Sequence, residues 1–384
     1  MMGNDADIVV LGAGVSSLML AERLARSGSR SSRVILVDPR TGYENDQTWS
    51  FWRVAPHAFE PLVEASWQRM AWSSAGWRQT IQSRRYPYQS IPARSFFDRA
   101  LAAVDADPET ELRLGCAALS VRDCSRGVEI ETTQGALRAA WAIDTRPARA
   151  PRGALVQRFA GARIRTGQAS FDPGVAGLME SMEVDHHGFS FTYVLPYSAD
   201  EALVETTRFT TSVLPEGQLQ SELDSACARL ARGGFSVLRT ERGAIPMSVE
   251  RFASPSARVV LAGRRGGAAR PSTGYAFLRM AQWADAAAAS IADGRQPPGH
   301  PAEPPVRREL DRIFLRVLMR RPELAPAIFL SLAGGAPADC IIRFLSDRAT
   351  PIDVAAVVAS LPPLPFMAAL AAPSPRAACA EVLA

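Results

Sequence analysis

Asp7-Ile-Val-Val-Leu-Gly-Ala-Gly-Val-Ser-Ser-Leu18 is the stretch from which the fold is read. Four apolar residues, Ile8 to Leu11, run into Gly12-x-Gly14, and a helical pattern of Leu18, Leu20, Ala21, Leu24 and Ala25 follows and stops near Gly28. A second apolar run, Val34 to Val37, ends on Asp38. Strand, glycine turn, helix and acid-terminated strand make a dinucleotide-binding unit. Gly12 permits the tight turn, and Gly14 lets a phosphate reach backbone N–H groups at the positive end of a helix. Asp38 is placed to accept from a ribose hydroxyl. A carboxylate there repels a 2′-phosphate, so FAD or NAD is expected rather than NADP. Ser17 stands where a third glycine is usual, and an ordinary βαβ unit without ligand is the competing reading.

Composition narrows the rest. The 384 residues allow two or three domains, and 47% hydrophobic with 21% charged residues describes a globular chain. A net charge of +4 makes no case for nucleic acid. There is no lysine, so all 43 basic residues are arginine, which excludes lysine Schiff-base chemistry and a P-loop. Cys116, Cys124, Cys227, Cys340 and Cys379 form no C-x-x-C pair, and with four histidines they suggest neither a metal site nor a disulfide framework. The first apolar run is the nucleotide-binding strand and no apolar run reaches about 18 residues, so neither a leader nor a spanning helix is expected. The expectation is a cytoplasmic protein, with contact to the inner membrane surface as an open question.

Working outward, an aromatic loop follows Asp38, from Gly42 to Trp52. Arg94, just before Phe96-Phe97-Asp98, sits where many flavin monooxygenase-type folds place a cofactor-contacting arginine; a surface residue at a helix start is the alternative. Residues 111–144 read as strands. Residues 151–240 alternate apolar and polar in several runs and predict an antiparallel sheet. Arg258 to Leu261 is a further strand feeding the glycine-rich turn Gly263 to Gly274, again suited to a flavin. Pro and Gly mark a boundary at 293–305. Beyond it Val306 to Arg321 is an amphipathic helix with Arg307, Arg308, Arg312 and Arg316 on one face, suited either to anionic lipid or to packing on the body. The expected fold is α/β: a discontinuous Rossmann-type FAD-binding domain (1–50, 90–150, 240–295), an antiparallel-sheet substrate domain (51–89, 151–239) and a C-terminal helical region (305–384).

Several blocks in order, Asp46-Gln-Thr-Trp-Ser-Phe51, Tyr193-Val-Leu-Pro196, Leu203-Val-Glu205-Thr-Thr, Pro271-Ser-Thr-Gly-Tyr275, Phe344-Leu-Ser-Asp-Arg348 and Pro365-Phe-Met367, resemble the bacterial lycopene β-cyclases of carotenoid synthesis. The resemblance spans nearly the whole chain. It implies an FAD flavoprotein kept reduced by NAD(P)H, and a redox-neutral isomerisation in which the acyclic ends of lycopene or a related carotenoid become β-ionone rings. Gln47 and Trp52 stand where the family often has histidine, and Glu205-Thr206-Thr207 replaces a paired-acid motif. The resemblance marks Glu205 as the acid. A strand carboxylate in solvent, or a partner of Arg208, is its alternative. Gly12, Gly14, Asp38, Arg94, Gly263 and Gly274 are the candidate cofactor contacts. Trp49, Phe51, Trp52 and Tyr275 are the candidate substrate walls, since aromatic faces attract cations and shed water. A flavin-dependent reductase or hydroxylase of a lipophilic substrate is the competing function.

Overall fold

The computed structural model describes residues 4–28, 32–147 and 150–371; Cys379 and the last residues of the C-terminal region lie outside these. The first strand, Ala6–Leu11, leads through Gly12 into the helix Val15–Arg26 and back to Val34–Asp38, as the apolar pattern predicts. Around this unit a parallel sheet runs in the order Thr110–Leu114, Val34–Asp38, Ala6–Leu11, Gly135–Asp144, and Val259–Leu261 also pairs in parallel with Gly135–Asp144. The antiparallel strands Ala118–Cys124 and Gly127–Thr132 complete it. Its central strands are apolar on both faces because both are covered: Ile8, Val10, Val34 and Leu36 face the helices, and Val9, Leu11, Ile35 and Val37 pack on the other face with Val128, Ile130 and Leu137. Leu18, Leu24, Phe96, Ala100, Ala284 and Ile291, from the helices Val15–Arg26, Ala93–Asp105 and Phe277–Ala292, are all buried in the helical layer.

The second sheet has the order Arg232–Met247, Leu155–Gln168, Glu201–Thr210, Gly188–Pro196, Val175–Asp185, Arg69–Ser74, Trp77–Gln82. Arg232–Met247 pairs with Leu155–Gln168 along nearly its whole length. The chain therefore remains in this sheet to residue 247, past the expected edge at 239. A three-stranded sheet, Thr48–Trp52, Tyr88–Pro92 and Ala65–Trp67, stands between the two larger ones. Its residues contribute to both cores: Phe51 and Ile91 to the first, Trp52, Trp67 and Tyr88 to the second.

Five helices from Pro305–Arg320 to Pro363–Ala371 close the described chain. On Pro305–Arg320 the expected arginine face is divided: Arg308 is exposed, Arg307 and Arg312 are half-buried, and Arg316 is buried. Ile313, Leu315, Val317 and Leu318 pack inward, and Asp311 and Arg316 are buried as well. Asp311 pairs with Arg270 at 3.1 Å, where neither side chain is more than 2% exposed, and accepts from the Ser272 hydroxyl at 2.7 Å. Arg316 donates to the Ala369 carbonyl at 2.6 Å. This helix is thus bound to the body, and it anchors the turn that carries Ser272, Gly274 and Tyr275. Exposed apolar side chains lie at its two ends, Val306 and Met319, and more of them follow at Ile352, Val358, Leu364, Met367 and Leu370. No single helix among the described residues is long and apolar enough to cross a membrane.

Candidate active site

Strand pairing assembles the site. On the second sheet Tyr193 lies opposite Glu205, Glu205 opposite Gly161, and Gly161 opposite Glu241. Directly opposed residues share a face, so a row runs across four strands: phenol, carboxyl, bare backbone, carboxyl. The three-stranded sheet faces this row. Side chains alternate along Thr48–Trp52, and Thr48 donates to Glu241 at 2.9 Å, which sets the direction of the even-numbered residues. Trp52 lies 4.9 Å from the Tyr88 ring and 5.3 Å from that of Tyr275, both edge-on. The Tyr88 hydroxyl is 2.8 Å from that of Tyr193 and 3.5 Å from that of Tyr275. Burial raises the pKa of all three phenols well above the ordinary tyrosine value, so they are neutral wall groups.

Trp49 and Phe51 point the other way. Trp49 packs on Phe96, Phe97 and Phe277, and Phe51 stacks on Phe277 with ring centroids 5.2 Å apart. The two residues belong to the core of the first domain. Of the four expected wall residues the structure brings together Trp52 and Tyr275. Tyr88 and Tyr193, which sequence reasoning did not select, complete the cluster.

Glu205 retains some accessible surface, yet protein encloses its carboxyl. Loss of hydration, with the negative charge of Glu241 added, pushes its pKa up to about 8; the Thr207 hydroxyl, donating to Oε1 at 2.7 Å, works in the opposite direction. Arg208 is not its partner: it pairs with Asp185 at 2.7 Å and Glu222 at 2.8 Å. Glu205 is therefore a carboxylic acid that keeps its proton at neutral pH, opposite Tyr193 and near Tyr88 of the aromatic cluster.

The candidate cofactor residues gather at the ends of the parallel strands. Gly12 has φ +95°, and a Cβ there would lie 2.9 Å from the Thr145 hydroxyl, so only glycine makes the turn. Around Gly14 a Cβ would meet nothing within 4 Å, and the helix behind it has no side-chain cap, so its first N–H groups face open space. The backbone at Gly263 approaches Ser16 and Thr145, joining the third parallel strand end to the same cradle. Asp38, buried, accepts from Ala13 N at 2.6 Å and Arg40 N at 2.9 Å. Gly274 lies apart from this group, against Gln157 and Ile245, where the Gln157 side-chain oxygen is buried without a partner. Arg94 sits at the exposed start of its helix, paired with Asp98 at 3.0 Å, and its backbone N–H is held by Asn45. Beside Gly263 a cleft lined by Arg158, Arg251, Arg264 and Arg265 opens between the two large sheets. Among the described residues no cluster could hold a metal ion.

This architecture is that of the FAD-type monooxygenases and reductases. The flavin-dependent monooxygenase PieE, solved in complex with FAD and substrate, superposes over 96% of this chain and 72% of its own, with TM-score 0.61 and 15% identity. A geranylgeranyl bacteriochlorophyll reductase-like protein from Thermoplasma acidophilum covers 92% of this chain and 95% of its own, with TM-score 0.58 and 15% identity. Sequence then narrows the class. The model of the lycopene cyclase protein family matches residues 7–371, and the chain belongs to that family. A lycopene beta-cyclase of Paracoccus sp. (strain N81106 / MBIC 01143) is 26% identical over 95% of this chain and 96% of its own; one from Pantoea ananas is 24% identical over 95% and 97%.

Proposed function

We propose that the protein is a lycopene β-cyclase that converts acyclic carotenoid ends to β-ionone rings by acid-initiated, redox-neutral cyclisation. The observation that carries this reading is Glu205, an enclosed acid with its pKa near 8 opposite Tyr193, which joins Tyr88, Tyr275 and Trp52 in one aromatic cluster.

The reaction needs a proton, protection of a cation, and exclusion of water. Glu205 gives its proton to the terminal double bond, leaving a tertiary cation. The neighbouring double bond attacks that centre and closes the ring, and loss of a proton completes it. The charge and atom balance is then zero, since the Glu205 carboxylate can take back what it gave. The four rings present π faces and neutral phenols to the cation and displace water that would trap it as an alcohol. A hydrocarbon polyene demands nothing more polar from the walls.

The cradle described above fits FAD. Gly12, Gly14 and the uncapped helix end would hold the pyrophosphate, Asp38 retains an unused acceptor position for a ribose hydroxyl, and the Gly263 and Gly274 turns would border the remainder. Arg94 would join them only by leaving Asp98. When bound and reduced, the flavin supplies an electron-rich ring that favours positive charge nearby. NAD(P)H is the reductant we expect to maintain that state without being consumed by turnover.

The substrate dissolves in lipid, and we assign membrane contact to the last two described helices rather than to Pro305–Arg320. Ile352, Val358, Leu364, Met367 and Leu370 are exposed there, between 48% and 78%. Flotation with anionic vesicles should carry wild-type protein to the top and leave I352S/L364S/M367S behind.

Expression in lycopene-accumulating bacteria tests the function. Cyclisation turns red cells orange or yellow with product mass unchanged. A product changed by two hydrogens or one oxygen would instead make the protein an oxidoreductase.

A further inference from the structure

Glu241 was not visible as a functional residue in the sequence, and it has no part in the chemistry above. Its placement is nevertheless specific. It lies two strands from Glu205, with Gly161 between them. A Cβ at Gly161 would stand 3.0 Å from Glu241 Cγ and 3.4 Å from Glu205 Cβ. Both side chains thus lean over the same bare backbone toward each other, and any other residue at 161 would separate them. Glu241 is 5% exposed. Two carboxylates so enclosed cannot both ionise.

Their partners decide which one does. Glu241 Oε2 accepts from Arg239 Nη1 at 2.8 Å and from the Thr48 hydroxyl at 2.9 Å. Arg239 Nη2 also donates to Thr48 Oγ1 at 2.6 Å, so the Thr48 proton is committed to Glu241. Burial raises the pKa of Glu241 too, but a cation and an oriented hydroxyl both point at one of its oxygens and oppose that rise, which favours the carboxylate here over one at Glu205. Glu205 has only the Thr207 hydroxyl. The other titratable groups around it, Tyr193 on the adjoining strand, Tyr88 on the facing sheet and Tyr275 on the turn, are neutral. Asp46 acts on Glu241 and not directly on Glu205.

We propose that Glu241 is a positioning residue for the proton: its carboxylate, fixed by Arg239 and Thr48 across Gly161, holds the transferable proton on Glu205. The inference rests on Glu205 being the acid of the proposed cyclisation. It adds a consequence for the end of the cycle. Once Glu205 has protonated the substrate, two carboxylates face each other, and their repulsion favours return of the proton from the ring cation to Glu205. The same group then opens and closes each turnover, with no net proton consumed.

The test is an infrared titration of the FAD-loaded full-length protein, following the C=O stretch of a protonated carboxyl. Wild type should show a band that disappears near pH 8 and is missing in E205Q. In E241Q the band should titrate at least one unit lower, about a fivefold loss of acid form at pH 8, and the alkaline limb of the cyclisation rate should move with it. A purely structural loss would lower the rate at every pH and leave the midpoint in place. Should E241Q fail to fold, E241D, which keeps the charge but withdraws it, should give a smaller shift in the same direction. An unmoved midpoint in the folded variant overturns the role of Glu241 alone. A band that persists in E205Q overturns the assignment of Glu205, and the present inference with it.

Discussion

Thr207→Val isolates the proton affinity of Glu205 with little disturbance of shape. The Thr207 hydroxyl donates to Glu205 Oε1 at 2.7 Å in a fully buried position, and that bond favours the charged carboxylate. Removing it therefore raises the pKa of Glu205 further. The acid is the form that works, so activity is present below the folded-state pKa and lost as pH rises through it. With a pKa of about 8, about nine in ten Glu205 side chains carry the proton at pH 7, against roughly three in a thousand for an ordinary glutamate. A hydrogen bond to a charged group is worth about 1.5–3 kcal/mol and to a neutral one about half that, so the difference lost in the variant is about 1.4 kcal/mol, or about one pH unit. The assay is the initial rate of β-carotene formation from lycopene in vesicles, with reduced FAD, from pH 6 to 10. Wild type should be flat to about pH 7 and then fall tenfold per unit above 8, and the variant should be flat to about pH 8 and fall tenfold per unit above 9. A limb that moves to lower pH in the variant, or a wild-type rate already falling between pH 5 and 7, would refute the reasoning.

Other consequences are as direct. Gly14→Val places a side chain in open space, so the fold should survive, but the pyrophosphate approach is blocked; purified protein should be colourless, and a yellow variant would contradict the cradle. Asp311→Ala removes the nearer carboxylate from buried Arg270, leaving it Asp347 at 3.5 Å and the Phe344 carbonyl, and should cost about 3 kcal/mol in denaturant unfolding, the low end for a broken buried pair, with loosening of the turn that carries Tyr275. Phe51→Leu and Trp52→Leu should separate two roles of one strand. The first should lower stability and leave the product unchanged, whereas the second opens the wall at Tyr88 and Tyr275 and should yield hydrated, alcohol-bearing by-products detectable by mass spectrometry.

The first βαβ unit was legible because its signal is local: a run of apolar residues, a glycine turn and a terminal acid. The antiparallel strands from 155 to 210 were legible through alternation, and Glu205 through the motif around it. What lay hidden depended on partners distant in sequence. Arg232–Met247 is an edge strand whose residues are mostly exposed, with Gly233, Gly234 and three arginines in place of an alternating apolar face. Nothing local announces it, and Glu241 was lost with it. Period two does divide Trp49 and Phe51 from Trp52, but which side faces the substrate sheet is fixed only by Thr48 meeting Glu241. Arg316 looked solvent-facing like Arg308 and Arg312 because its acceptor, the Ala369 carbonyl, is supplied by a later helix.

The central claim is that one enclosed carboxylic acid, Glu205, delivers the proton that starts ring closure. Cyclisation in D2O with mass analysis of the carotenoid addresses it most directly. The exchangeable Glu205 proton becomes a deuteron, one is added per ring, and the hydrogen that leaves comes from the substrate, so wild-type product should gain one mass unit per ring and E205Q should form at least about a hundredfold less product. Unlabelled β-carotene, or labelled product made by E205Q at the wild-type rate, would contradict it.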